Sequence, residues 1–352
     1  MSDRWIVLQE EQRRRFGGDL RRAHILRPLA ERTAAVVAGW SPGAAGPVVA
    51  RHGAGGLPWA RRQPPRLASA EALELDLLGD VVRRTRPTVL DVHDDPLAQL
   101  RALGVPADPA REARLAERMT RNREAFELLL APTASFAELA GLPADRTIVA
   151  PNGTDTGLIR PRPFPARPAV GFASGAAPGR GIELLVEAVR SVREGHPEVR
   201  LLLWLAATGP DSETYLAGLG RELAAEPWIE LASTTYDRMA DELARATVLA
   251  IPHPPGEYLD VALPIKLVDA MAAGRPVVVT PRVETARIVR DAGCGLVVED
   301  DVAALVAGLS ALLDDPDRAA RLGASGRQLA ERRFDWGVIG ETVADAVLAR
   351  AG

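Results

Sequence analysis

Residues 251–280 read IPHPPGEYLDVALPIKLVDAMAAGRPVVVT. This pattern predicts a strand, a long loop, a helix that begins after Pro264 and stops at Gly274, and a second strand. The first N–H groups of a helix have no partner within the helix and carry a partial positive charge, so they readily bind an anion. Lys266 lies in this first turn, where a cation opposes the helix dipole by about 0.3–1 kcal/mol. An anionic ligand would remove that conflict; the alternative is an ordinary surface helix on which Lys266 pairs with an acidic neighbour.

Short apolar strands and amphipathic helices alternate along the rest of the chain as well, which predicts an α/β fold with parallel sheets. Each half has the pattern of a complete sheet, and we expect domains over residues 1–160 and 161–335. The Pro-rich stretch 160–168 is the predicted interdomain linker, because proline favours an extended chain. Sheets of this kind bind ligands at the carboxyl ends of their strands, so the sequence predicts a site in the cleft between two domains.

The composition of the 352 residues, 47% apolar and 26% charged, is typical of a folded protein. No apolar run approaches the roughly 18 residues that a membrane span needs, and the N-terminal sequence has no signal-peptide core, so we expect a cytoplasmic location. The single cysteine, Cys294, excludes an internal disulfide and a cysteine-based metal site. The sequence also lacks Walker and dinucleotide-binding motifs, which argues against an ATPase or a dehydrogenase.

The charges are unevenly distributed along the chain. A net charge of −4 argues against nucleic acid as a main partner. Residues 1–66, however, carry 12 Arg and 5 acidic residues. Such a segment attracts an anionic acceptor or makes peripheral contact with an anionic membrane surface; a solvated helix face and a loop are the alternative. Of the 43 basic residues, 42 are Arg, which draws attention to the surroundings of the single lysine, Lys266.

Five segments resemble the family 4 retaining glycosyltransferases, in the family's order and over almost the whole chain. They are Gly17-Gly18, residues 148–155 (IVAPNGTD), 179–188 (GRGIELLVEA), 264–278 (PIKLVDAMAAGRPVV) and 334–336 (FDW). The resemblance implies the GT-B architecture: two Rossmann-like α/β domains face each other across a cleft, and a final helix, here 336–352, crosses back to the N-terminal domain. It also implies that a sugar is moved from a nucleotide-diphosphate sugar to a hydroxyl acceptor, with retention of the anomeric configuration.

The same resemblance assigns roles to individual residues. Arg180 matches the basic residue that clamps the donor diphosphate, and Asp269 matches the glutamate that binds the ribose. The shorter Asp requires a closer ribose or a bridging water. The donor-binding residues implied in this way are Gly17, Gly18, Gly179, Arg180, Thr235, Leu263, Pro264, Ile265, Lys266 and Asp269.

Two positions depart from the family's pattern. Phe172 stands where the family has a second cation of the diphosphate clamp, and Lys266 is the candidate substitute. A real cation is needed there, because each charge-assisted hydrogen bond contributes about 1.5–3 kcal/mol. Val261 stands where the first of two spaced acidic residues is expected. Glu257 or Asp260 could replace it if the loop bulges.

The catalytic candidates are His93, Arg180 and Lys266. His93 follows a strand predicted over residues 88–92 and resembles the family histidine that contacts the donor sugar; a packing role is the alternative. Arg180, Lys266 and backbone N–H groups would stabilise the departing diphosphate. With these groups present, we expect no metal and no cofactor, only the nucleotide-diphosphate sugar as co-substrate.

Four further residues are candidates for the acceptor side. Asp94 and Asp95 bind acceptor hydroxyls or cap the following helix. His52 and Trp59 belong to a predicted loop over residues 51–68, in which an aromatic ring stacks on a sugar or fills the core.

Two alternative functions stay open at this point. One is a nucleotide-sugar epimerase, which needs no acceptor. The other is a non-catalytic nucleotide-sugar-binding partner of another transferase, which Phe172 and Val261 favour. The sequence leaves open the nucleotide, the sugar, the acceptor and the oligomeric state.

Overall fold

The computed structural model describes residues 5–9, 20–21, 24–25, 27–32, 36–39, 66–69, 87–95, 97–98, 101, 108–207 and 209–351. Gly17, Gly18, His52 and Trp59, which the sequence analysis assigns to donor or acceptor binding, lie outside these residues. The chain divides into two compact units, the first made of residues 1–152 and 336–352 and the second of residues 153–335.

The first unit contains a parallel sheet. Its described strands pair in the order β2-β1-β3-β4-β5-β6, every pair in parallel. They are β1 (Trp5–Gln9), β2 (Val36–Gly39), β3 (Arg66–Ser69), β4 (Pro87–Asp91), β5 (Leu128–Ala131) and β6 (Thr147–Val149). All four side chains of β5 are buried, as expected of an apolar strand in a sheet that is covered on both faces.

The second unit contains another parallel sheet, with its described strands in the order β12-β11-β10-β7-β8-β9. They are β7 (Ala169–Gly175), β8 (Arg200–Ala206), β9 (Ile229–Ala232), β10 (Val248–Ile251), β11 (Val277–Val279) and β12 (Gly295–Val297). The chain builds this sheet outward from β7 to one side and then from β10 to the other. The order therefore reverses between β7 and β10, and ligands of such sheets bind at the carboxyl ends of the strands at this point.

Helices connect the strands in both units. In the described residues they are α1 (Arg27–Arg32), α2 (Pro109–Ala125), α3 (Ala134–Leu139), α4 (Ile182–Gly195), α5 (Pro210–Glu222), α6 (Tyr236–Ala244), α7 (Glu257–Val261), α8 (Ile265–Ala272), α9 (Val283–Ala292), α10 (Val302–Leu313), α11 (Pro316–Leu329) and α12 (Trp336–Ala351). Side-chain caps fix several of their starts: the carboxylates of Asp108, Asp301 and Asp315 accept hydrogen bonds from the first free N–H groups of α2, α10 and α11. None of the helices in the described residues combines the length and the apolar character that a bilayer crossing requires.

The core of the second unit lies where α4 and α10 pack on the sheet. Their apolar residues recur at the three- and four-residue spacing that places side chains on one face of a helix. The buried residues of these two helices include Leu185, Val189 and Val192 on α4 and Leu305, Leu309 and Leu312 on α10.

The final helix, α12, belongs to the first unit, as the resemblance implied. The ring of Trp336 stacks on His24 with a centroid separation of 5.6 Å. Arg32 on α1 forms an ion pair of 2.6 Å with Asp345 on α12. Charge pairing thus attaches this helix to α1, and stacking attaches it to His24, which precedes α1.

The Pro-rich stretch 160–168, predicted to be the linker, lies within the second unit. The buried Arg275 holds it there, because its guanidinium donates a hydrogen bond of 3.1 Å to the Pro163 carbonyl. The same guanidinium lies over the Phe164 ring, 4.9 Å from the centroid. These contacts attach the stretch to the rest of the second unit.

Two predicted loops contain regular structure. Strand β3 (Arg66–Ser69) occupies the end of the predicted loop 51–68, and helix α7 (Glu257–Val261) forms within the long loop that was expected before Pro264.

Candidate functional site

A glycine-rich turn connects β7 to α4 in the second unit. Gly179 and Gly181 have φ angles of +72° and +79°, a left-handed conformation that glycine adopts without steric cost. A Cβ on Gly181 would lie 1.9 Å from the carbonyl oxygen of Pro252. The backbone of the turn is thus in direct contact with the backbone of the segment after β10. Arg180 lies between the two glycines and is brought close to His253.

Lys266 lies in the first turn of α8, as predicted, and points at the ends of β7 and β10. Its Nζ donates a hydrogen bond of 3.2 Å to Ser174 Oγ, at the carboxyl end of β7. His253 Nε2, in the segment after β10, lies 3.2 Å from the same nitrogen. The Nζ atom also lies over the Phe172 ring, 4.5 Å from the centroid, in a cation–π contact. Phe172, which replaces a cation of the family, thus supports the lysine instead.

The electrostatics of this group are unusual. Burial lowers the pKa of Lys266 to about 7, and the charge of Arg180 adds to the effect. The pKa of His253 lies well below its ordinary value, because the ring is buried and because Lys266, Arg180 and Arg282 are close to it. His253 is therefore neutral at pH 7. A negatively charged ligand would reverse the effect on Lys266 and stabilise its ammonium form.

Asp269 lies one turn further along α8 and is buried, with 5% of its surface exposed. The Thr154 hydroxyl donates a hydrogen bond of 2.6 Å to its Oδ1. Burial raises the pKa of Asp269 to about 7, and hydrogen bonds from Thr154 and Tyr236 oppose this rise only in part. The carboxylate thus ties α8 to the start of the second unit and to α6. Binding of a ribose by Asp269 stays a prediction.

The two acidic residues considered as substitutes at the Val261 position lie on α7. Asp260 forms an ion pair of 2.9 Å with the buried Arg282. A second carboxylate, that of Asp300, pairs with the same guanidinium. Glu257 is exposed at the start of the helix. The charge of Asp260 is thus engaged by Arg282, which leaves Glu257 as the exposed acid of this helix.

The other predicted donor-binding residues of the second unit lie at helix starts. Leu263 is buried, Pro264 is the N-cap residue of α8, and Ile265 is its first residue. Thr235 is exposed at the N-cap of α6, after the edge strand β9.

In the first unit, the end of β4 carries a buried ion pair that the sequence analysis missed. Arg21 and Asp91 are both fully buried, and Arg21 Nη2 lies 2.8 Å from Asp91 Oδ1. Burial alone would raise the pKa of Asp91, but the charge of Arg21 and the contact with His93 lower it to about 2. Arg21 also donates a hydrogen bond of 2.7 Å to the Ala150 carbonyl, and so ties β4 to the end of β6.

His93 lies two residues after Asp91 in the chain, and its side chain is 8% exposed. Its Nδ1 lies 3.4 Å from the ionised Asp91, and its Nε2 lies 4.0 Å from Asp94 Oδ2. Asp95 accepts hydrogen bonds of 3.0 Å from the backbone N–H groups of Leu97 and Ala98, the pattern by which a carboxylate caps a helix start. Capping and acceptor binding both stay predictions for Asp95. Asp94 keeps a partly exposed carboxylate, so acceptor binding stays a prediction for this residue.

Together, Lys266, Arg180, Ser174 and His253 form what we call the cationic site, at the reversal point of the second sheet. Ser174 and His253 were not predicted. The available signal was their position, since each follows one of the two strands that flank the reversal point. In the described residues, no group of three or more His, Cys, Asp and Glu side chains could hold a metal ion. Two cationic side chains and the start of α8 meet at the carboxyl ends of β7 and β10, and such an arrangement is suited to bind a diphosphate.

The fold and this site define a nucleotide-binding α/β protein, and comparison with known proteins identifies its family. A family model described as "Glycosyl transferases group 1" matches residues 167–315. The chain is 31% identical over 296 residues to a GDP-mannose-dependent alpha-(1-6)-phosphatidylinositol monomannoside mannosyltransferase of Mycolicibacterium smegmatis, covering 79% of this chain and 75% of the relative. The chain belongs to the family of glycosyl transferases group 1.

A second relative matches over a shorter part of its length. The MMP alpha-(1->4)-mannosyltransferase of Mycolicibacterium hassiacum is 34% identical over 231 residues, which are 63% of this chain and 54% of the relative. The match thus spans about half the length of that relative.

Among solved structures, Anabaena HepE in complex with UDP and glucose is similar with a TM-score of 0.77 and 18% identity, over 99% of this chain and 100% of that one. This likeness confirms the GT-B fold that the sequence analysis expected.

Proposed function

We propose that the chain is a glycosyltransferase that moves a sugar from a nucleotide-diphosphate sugar to a hydroxyl acceptor, with retention of the anomeric configuration. The observation that carries the proposal is the cationic site at the carboxyl ends of β7 and β10. Lys266 there has neutral hydrogen-bond partners, and Arg180 adds a second cation. No ion pair with a carboxylate is found for either side chain within the described residues, so a bound anion can contact both, and the free N–H groups at the start of α8 add to them.

In the proposed reaction, the bond between the anomeric carbon and the diphosphate oxygen breaks, and a bond from that carbon to the acceptor oxygen forms. The hydroxyl proton of the acceptor passes to the departing diphosphate. Negative charge grows on the diphosphate as the sugar leaves, so its contacts with Lys266 and Arg180 strengthen in the transition state. His93, held next to the ionised Asp91, is the proposed contact to the sugar.

The relatives suggest which donor to test first. The name of the M. smegmatis relative specifies GDP-mannose as donor and a phosphatidylinositol monomannoside as acceptor. We propose GDP-mannose as the donor of this chain and a hydroxyl of a sugar or an inositol as the acceptor. UDP-glucose is the second donor to test, because it is present in a structure of HepE.

A donor-binding experiment tests the proposal. GDP-mannose and UDP-glucose are titrated into the wild type and into Lys266→Met and Arg180→Gln, with thermal unfolding and calorimetry as readouts. A donor at about 100 times its Kd stabilises the wild type by about 2.7 kcal/mol. Each variant loses a charge-assisted contact and should bind at least about tenfold more weakly.

Arg190→Gln is the matched control, because Arg190 is a partly exposed arginine of α4 that pairs with Glu226. It should bind the donor like the wild type. If neither donor binds the wild type, or if Lys266→Met binds as tightly as Arg190→Gln, the proposal is wrong.

One alternative has support from the site. Phe172 and Val261 stand where the family has a cation and an acidic residue, which favours a non-catalytic donor-binding partner. Such a partner binds the donor without turnover, whereas the proposed enzyme releases a nucleoside diphosphate only when acceptor is present. An epimerase forms a new nucleotide sugar without acceptor. Analysis of products with and without acceptor separates the three functions.

The remaining expectations are part of the proposal. Activity should persist in EDTA, because Lys266 and Arg180 supply positive charge at the diphosphate. A cytoplasmic location and contact of residues 1–66 with an anionic surface stay predictions.

A further inference from the structure

The hydrogen-bond partners of Lys266 within the described second unit are unusual for a partly buried amine. The Ser174 hydroxyl and the His253 imidazole are both uncharged at pH 7. A buried ammonium is normally paired with a carboxylate, because an unpaired charge is costly to remove from water. Here a ring nitrogen stands at 3.2 Å in the place of the carboxylate.

His253 is firmly held in this place. The ring is buried, with 3% of the residue exposed. Its carbonyl accepts a hydrogen bond of 2.6 Å from the Thr280 hydroxyl, at the end of β11. The preceding residue, Pro252, is in backbone contact with Gly181 of the glycine-rich turn. Two neighbouring segments thus fix the position from which Nε2 meets Lys266.

Within the described residues, no carboxylate is found in contact with Lys266 or His253. Arg180 faces both residues from the glycine-rich turn, and Arg282 faces His253 from the start of α9. The carboxylates of Asp260 on α7, Asp269 on α8 and Asp300 after β12 have other partners: Asp260 and Asp300 pair with Arg282, and Asp269 accepts from Thr154. Glu257 on α7 is exposed. Lys266 is therefore surrounded by positive charge and neutral dipoles.

We propose that His253 is a positioning residue for Lys266. In the donor-bound state its neutral ring accepts a hydrogen bond from the Lys266 ammonium and holds this cation at the ends of β7 and β10, where the diphosphate binds. Where the amine is neutral before binding, it takes up a proton from solvent as the diphosphate binds. The inference rests on the proposed function, since it needs a diphosphate at Lys266. An amine that is neutral before binding gains one proton, and this charge together with that of Arg180 matches the two negative charges of the diphosphate.

The direction of the pH dependence follows from the free and bound states. The pKa of Lys266 is about 7 without ligand, so the amine is mostly charged below pH 7 and mostly neutral above it. The diphosphate binds the charged form and raises this pKa. Donor binding therefore takes up only a small fraction of a proton at about pH 6 and close to one proton at about pH 8. Near pH 8 and above, the Kd for the donor rises up to tenfold per pH unit.

Calorimetry with a nucleotide sugar measures this proton uptake. GDP-mannose and UDP-glucose are suitable probes, because both phosphates are esterified and do not titrate near neutral pH. Each titration is run in two buffers of different ionisation enthalpy, at about pH 6 and about pH 8. The difference in heat between buffers gives the number of protons taken up.

Two substitutions separate the acceptor role of His253 from packing. His253→Ala removes the acceptor and should weaken donor binding at about pH 7 by roughly tenfold or more. His253→Gln places an amide near Nε2 and should restore most of the affinity and the proton uptake. His196→Ala is the control, since His196 is a histidine of the same unit that pairs with Asp314. Circular dichroism verifies folding, and His253→Gln carries the test if His253→Ala does not fold.

Each outcome has a distinct meaning. If neither probe binds the wild type, the proposed function fails and the inference fails with it. If a probe binds without proton uptake at about pH 8, the inference alone is overturned. The same holds if His253→Ala binds like the control, or if His253→Gln loses as much affinity as His253→Ala.

Discussion

Substituting the two left-handed glycines of the turn before α4 tests how the cationic site is assembled. Gly179→Ala and Gly181→Ala place the same methyl group at nearly the same backbone angle, with φ of +72° and +79°. The left-handed conformation costs a residue with a Cβ about 1–2 kcal/mol. A Cβ on Gly179 has no neighbour within 4 Å, so this variant should lose only that amount.

Gly181→Ala should lose considerably more. Its Cβ would lie 1.9 Å from the Pro252 oxygen, whereas real contacts of this kind are essentially never shorter than 3.0 Å, so the two segments must separate by about 1 Å. Overpacking of this kind costs typically about 1–3 kcal/mol. We therefore expect Gly181→Ala to be less stable than Gly179→Ala by about that amount.

Equilibrium unfolding of the full chain in urea, followed by circular dichroism, measures the difference. The movement of Pro252 also displaces the adjacent His253, so Gly181→Ala should bind GDP-mannose more weakly than the wild type. Equal stability of the two variants would refute the close backbone approach of Gly181 and Pro252.

Two further predictions concern buried carboxylates. Asp269→Asn should stabilise the second unit above pH 7. Because the pKa of Asp269 is raised to about 7, the native carboxyl keeps its proton to a higher pH than the unfolded one, so the stability of the wild type falls as the pH rises from about 4 to about 7 and then levels off. The urea midpoint of the variant should lack this fall. Arg21→Met should destabilise the first unit by about 3–5 kcal/mol, because it leaves the Asp91 carboxylate buried without its cation. The double variant Arg21→Met with Asp91→Leu should recover much of that loss in the same urea titration. A double variant as unstable as the single one would contradict this reasoning.

The sequence predicted the parts of the fold that depend on local periodicity. The helix after Pro264, its end at Gly274 and the strands on either side follow from apolar spacing and from residues that start or stop helices. Strand β3 was missed, because Arg66–Ser69 has no apolar alternation of its own. It is a strand because β1 and β4 pair with it on both sides.

For the candidate site, Lys266 was predicted from its position in the first turn of a predicted helix, and Arg180 from the resemblance to the family. The sequence did not identify Ser174 and His253, which are separated from Lys266 by 92 and 13 positions in the chain. A serine and a histidine are common enough that only their spatial neighbours reveal a role. Asp269 was named from the sequence, but its partners were not. Thr154 and Tyr236, which surround its carboxylate, are remote from it in the sequence.

The amino-acid sequence by itself determined the family, the α/β class and the position of the single lysine at the start of a helix, because these depend on residues that are neighbours in the chain. The tertiary structure alone decided which partners the lysine has, and therefore its charge. The pKa of an amine depends on burial and on charges within a few ångströms. In this protein those groups come from the ends of two strands and a glycine-rich turn, which only the folded sheet brings together.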